Sequence, residues 1–76
     1  MNNLYWFPYV DLVSAFGTMG LLEQARQPLA ELKKLRSDFT VRSHRELGYA
    51  ISSNPQFRRE YDDLLDGLKK AGVPEQ

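Results

Sequence analysis

His44 is the only histidine in this chain and the side chain with the broadest chemical repertoire. A metal site would need a second histidine or a cysteinate beside it, and the chain has neither. Nucleophilic catalysis would need a hydroxyl and a carboxylate arranged around it, and no recognised arrangement stands nearby in sequence. As the second residue of a helix starting after Ser43, His44 is expected to be solvated. Asp62, Asp63 and Asp66 are the other candidates, as a carboxylate cluster for metal binding or acid–base work. Arg58, Arg59 and Lys70 stand four residues from Asp62, Asp63 and Asp66 respectively, so a solvated, ion-paired helix face is the plainer expectation. Gly17 and Gly20 lack the Lys-Ser/Thr of a phosphate-binding loop. The expectation is a non-catalytic protein with no catalytic, cofactor-binding or metal site.

Binding chemistry is better represented. Over residues 1–22 the only charge is Asp11, and Tyr5, Trp6, Phe7, Tyr9 and Phe16 supply five of the nine aromatic residues. Trp and Tyr anchor protein interfaces. One reading makes Tyr5, Trp6, Phe7, Tyr9 and Val10 contact residues for another protein, with Arg58 and Arg59 as a polar rim. The other folds the aromatics inward to complete a small core. A membrane-surface role is weaker, because an interfacial helix carries Lys or Arg on its polar face and this stretch carries a lone Asp.

A second binding mode comes from the last third of the chain. Arg45-Glu46-Leu47-Gly48-Tyr49-Ala50-Ile51, then Ser53-Asn54-Pro55, then residues 57–68 and Ala71-Gly72-Val73, resemble the core of a helix-turn-helix. That resemblance implies a DNA-binding regulator acting as a dimer. It would place Gln56, Arg58 and Arg59 in the major groove and Arg42 and Arg45 on phosphates. Asp62 and Asp63 would repel phosphates one turn further on, and two capped helices joined by a short polar turn are also simply an α-hairpin.

The elements that must position these residues are helical; no stretch alternates as a strand does. The expected fold is all-α, a small bundle of four short helices with the C-terminal helix, about 54–71, at its centre. That helix has Asn54 as N-cap, Pro55 at its first position, Phe57, Tyr61, Leu64, Leu65 and Leu68 on one face, and Gly72 and Pro74 as its stop. Gly67 interrupts it, where a close approach by another helix would use the missing side chain. A first helix is expected from Pro8 to about Phe16, with Tyr9, Leu12, Val13 and Phe16 on one side and a break at Gly17-Thr18-Met19-Gly20. A second, over 21–37, has Leu22, Ala25, Leu29, Leu32 and Leu35 in seam spacing, with Pro28 kinking or dividing it. Phe39 and Val41 plug the core from the connection. Ser43 and Glu46 match a capping box for a third helix over 44–52, with Leu47, Ala50 and Ile51 inward.

Composition bounds the rest. A chain of 76 residues makes a single domain, 1–76, with 1–3 and 73–76 expected to fray. A domain this size buries only about 60% of its unfolded surface, so a homodimer is a natural way to gain burial. Ten basic residues balance ten acidic ones, which removes any general attraction to nucleic acid or anionic membrane. No apolar run approaches membrane-spanning length and no positive n-region precedes one, so the expected location is cytoplasmic.

Overall fold

Asn54 starts the last helix as its type predicts: its Oδ1 accepts hydrogen bonds from the Gln56 and Phe57 amides at 2.8 and 3.1 Å. The computed structural model describes residues 6–76. Among them lie four helices and no strand: α1 (Phe7–Thr18), α2 (Leu22–Leu35), α3 (Val41–Ile51) and α4 (Pro55–Lys70). The fold is the expected all-α bundle. α1 packs on both α2 and α4, and α3 packs on α4, so α4 shares the centre of the bundle with α1.

α1 and α4 meet through their smallest residues. Val10, Val13, Ser14 and Gly17 form the buried face of α1, and Leu65, Gly67 and Leu68 that of α4. A Cβ at Gly17 would run into the Gly67 carbonyl oxygen, and one at Gly67 into the Ser14 carbonyl. Ser14 Oγ donates to the Leu64 carbonyl at 2.7 Å. Gly67 thus has the use expected of it, whereas Gly17 lies inside α1 and not at a break. This small-residue approach also corrects the inward face of α1. Leu12 is 45% exposed, and Tyr9 and Phe16 are half-buried on the α2 side.

The closing turns follow one local rule. Gly20 and Gly72 take φ of 73° and 104°, which L side chains adopt with strain. After α4, the Gly72 amide reaches the Lys69 carbonyl and the Val73 amide the Leu68 carbonyl, a Schellman closure; Gly20 and Leu21 repeat the pattern after α1. α2 passes through Pro28 as one helix. Its expected seam is only partly buried: Ala25 and Leu32 lie inside, Leu29 is half-buried, and Leu22 and Leu35 are exposed; Pro28 is buried beside them.

α3 departs most from expectation. It begins three residues earlier than Ser43-x-x-Glu46 suggested. Thr40 is the N-cap: its Oγ1 accepts from the Ser43 amide and Ser43 Oγ accepts from the Thr40 amide, both at 3.0 Å. The first two helical amides, of Val41 and Arg42, donate to the Pro74 and Glu75 carbonyls, each at 2.9 Å. The C-terminal tail is therefore docked and not frayed, with Val73 buried; residues 1–3 lie outside the described residues. In this register Val41, His44 and Gly48 point inward, so the expectation that Leu47, Ala50 and Ile51 would do so is overturned. The core unites Trp6, Val10, Val13, Leu32, Phe39, Val41, Leu65, Leu68 and Val73. Phe39 plugs the core from the connection as expected, whereas Val41 does so from the first turn of α3.

Candidate docking surface

The aromatic stretch divides between core and surface. Trp6 and Val10 are buried in the core and cannot serve as exposed contacts, which corrects two of the expected contact residues. The physical reason is steric: Val10 lies on the face α1 turns to α4, and Trp6 is held by Phe7, Phe39 and His44 with Arg36 stacked on its ring, 4.7 Å from the centroid. Phe7 and Tyr9 are half-buried, with part of each reaching the surface. Tyr5 lies outside the described residues. Of Arg58 and Arg59, in the first turns of α4, only Arg59 is exposed.

What the fold builds from the surface part is a groove of about 750 Å³ between α1 and α2. Tyr9, Leu12 and Phe16 supply its α1 wall. Glu23, Gln24, Gln27, Pro28 and Glu31 supply its α2 wall. Grooves with apolar walls and a few polar groups are the usual form of peptide and ligand sites. The charged side chains among these lining residues are both carboxylates. Their ion-pair partners, Arg26 at 3.3 Å and Lys34 at 3.1 Å, stand outside the lining on strongly exposed side chains. Pro28 adds to the acceptor character. Having no amide, it leaves the Gln24 carbonyl without its usual helical donor on the side of α2 that lines the groove. Leu12, Phe16, Gln24 and Glu31 were not singled out as contacts from the sequence. The available signal was Pro28 itself, a helix-interior proline whose position gains a reason once the α2 wall is seen.

The α3–α4 elbow, where the helix-turn-helix reading placed its contacts, is engaged with the protein itself. Arg58 Nε and Nη2 donate to the Ser52 and Tyr49 carbonyls, both at 3.1 Å, and its guanidinium stacks on the Tyr49 ring at 4.3 Å. Tyr49 Oη donates to Asp62 at 2.7 Å, an exposed contact that raises the phenol's pKa. The expected Arg58–Asp62 pair does not form, while Asp66–Lys70 does, at 3.1 Å. Arg42 pairs with Glu46 and Arg45 with Glu75, and Gln56 lies 3.4 Å from Glu60. Arg59 is exposed without an ion pair among the described residues. The elbow does not gather Arg42, Arg45, Gln56, Arg58 and Arg59 as free cationic or donor groups on one face.

The third feature is an aromatic box around His44. The ring lies 5.8 Å from Trp6, 6.4 Å from Phe7, and 5.2 Å from both Phe39 and Tyr61, measured between centroids. Tyr61 Oη donates to the His44 carbonyl at 2.7 Å, and burial pushes that phenol up to about 12. His44 is 5% exposed, which corrects its expected solvation. With α3 beginning at Val41, His44 stands on the buried face it shares with Val41 and Gly48. Desolvation, aided by the Arg36 charge, lowers its pKa to about 4. Its Nδ1 is buried without a hydrogen-bond partner among the described residues.

No group of histidine, aspartate and glutamate side chains among the described residues could hold a metal ion, and no helix there is long and apolar enough to cross a membrane. In comparison with known proteins, the chain matches no family model, no curated protein and no solved structure.

Proposed function

We propose that this protein is a small non-catalytic binding module that docks a helical segment of another protein in the α1/α2 groove. The observation that carries the reading is the groove's make-up: apolar walls from Tyr9, Leu12, Phe16 and Pro28, with lining charges that are both negative. The occupant that fits is an amphipathic helix with an apolar face edged by Lys or Arg. Its apolar residues would cover Leu12 and Phe16, and its cations would face Glu23, Glu31 and the Gln24 carbonyl. Charge of that sense sets partner choice and association rate more than affinity. An adaptor, inhibitor or regulatory subunit, working in the cytoplasm, is the role such a module would fill.

The test is titration with a synthetic peptide of about four helical turns, leucines at i, i+3, i+4 and i+7 and lysines along both edges. Its glutamate-edged twin serves as control. Binding of the lysine peptide that weakens with added salt, with Glu31→Gln and with Leu12→Asp supports the reading. Equal binding of both peptides, or of neither at low salt, overturns it. Sedimentation showing that Leu12→Asp instead dissolves a homodimer would give the groove to a second copy of the chain.

The DNA-binding reading has less support, because Arg42, Arg45 and Arg58 already have protein partners. Exposed ion pairs are weak, so mixed-sequence duplex at low salt is the decisive probe. Salt-sensitive binding, weakened by Arg45→Ala, would restore that reading.

A further inference from the structure

The box around His44 joins three separate parts of the chain to α3. Trp6 and Phe7 come from the start of α1, Phe39 from the α2–α3 connection and Tyr61 from α4. α3 makes no close helix–helix contact with α1 or α2 among the described residues, so this ring stack is a principal tie from α3 to that side of the bundle. At its centre is a titratable ring, the only histidine, with a buried nitrogen that no group among the described residues partners.

We infer that His44 is an acid-sensitive latch: as neutral imidazole it holds Trp6, Phe7 and Phe39 against α3, and on protonation it releases them. The neutral ring packs like another aromatic. Placing a proton on it puts a charge among four rings, with no acceptor among the described residues for the buried N–H that results. The charged and titratable groups that face it do not compensate. Arg36, stacked on Trp6 and bound to Asp38 at 3.3 Å, lines the same cleft and repels the cation. Glu46 lines that cleft too, yet it is turned to Arg42 at 3.5 Å. From α4 comes the Tyr61 phenol, whose proton is committed to the His44 carbonyl. Trp6, Phe7 and Phe39 bring no charge.

The sense of the pH effect follows. The closed state takes up its proton at lower pH than an open state, where histidine titrates near its ordinary 6.5. The latch is fully closed above that value and loses hold as the pH falls from 6.5 toward 4. Over this window the closed-to-open ratio changes about tenfold per pH unit, the response to one proton.

Trp6 is the only tryptophan, so its fluorescence reports the latch directly. Emission from the full chain should shift to the red between pH 6.5 and 4 while far-UV circular dichroism keeps most of its helical signal. His44→Phe, which fills the box with a ring that cannot titrate, should remove the shift. The same shift in His44→Phe would assign it to carboxylates and overturn the latch. If that variant fails to fold, NMR of the unmodified protein decides. His44 ring and Trp6 indole signals moving with one midpoint below 6.5 support the latch. A His44 ring that titrates near 6.5 with Trp6 unmoved overturns it.

Discussion

α4 is gripped on two sides by opposite means. Toward α1 the contact is made by absence: Gly17, Gly67 and Ser14 let two backbones come together until a carbonyl of one helix occupies the place a methyl group would take on the other. Toward α3 the contact is made by bulk, with Tyr61 lying over Gly48 and stacked on His44. Both interfaces use a glycine, but what lies opposite differs. A backbone carbonyl cannot move without moving its helix. A tyrosine ring can swing, at the expense of its hydrogen bond to the His44 carbonyl. The first contact is therefore rigid and intolerant, the second adjustable.

Substitutions at the two glycines would break this comparison most directly. Gly67→Ala should be the costliest. Alanine gains about 1 kcal/mol in helix propensity, but forcing α1 away opens the interface and strains the Ser14–Leu64 bond. A net loss of about 3 kcal/mol, read from the midpoint of urea unfolding, is expected. Stability within about 0.5 kcal/mol of the parent would show that the helices are not in backbone contact. Gly48→Ala meets a side chain instead, and Tyr61 can yield. The same propensity gain offsets part of the overpacking, leaving a net loss of about 1 kcal/mol. A cost as large as that of Gly67→Ala would mean the α3 side is equally rigid. Ile51→Ser is the smallest change. The side chain is 67% exposed at the end of α3, so stability should stay within about 0.5 kcal/mol. A loss of about 2 kcal/mol would restore the inward Ile51 that sequence spacing suggested.

The same contrast explains what could be read in advance. α4 was legible from end to end because its signals are local: Asn54 and Pro55 at the start, the left-handed Gly72 at the finish, and Leu65 and Leu68 between them. The start of α3 is ambiguous in sequence because two polar pairs compete. Ser43-x-x-Glu46 has the commoner capping residues, but Thr40-x-x-Ser43 prevails, aided by carbonyls from Pro74 and Glu75 that no local pattern announces. The helix that forms buries His44 with Val41 and Gly48 and leaves Leu47, Ala50 and Ile51 exposed. The inward face of α1 was misread for a related reason. Spacing alone favoured Tyr9, Leu12 and Phe16 over Ser14 and Gly17, since nothing along α1 says that its partner carries a glycine at the crossing. The groove is the residue of that choice: it is lined by the large side chains α1 does not bury.

The docking of the C-terminal tail on the first turn of α3 bears on how the chain is made. Val41 and Arg42 are synthesised long before Pro74 and Glu75, the residues whose carbonyls receive their amides. On the ribosome, two amides of α3's first turn lack these protein partners until Pro74 and Glu75 emerge. The first turn of α3 is thus completed only after the whole of α4 has been made, by a segment about thirty residues downstream.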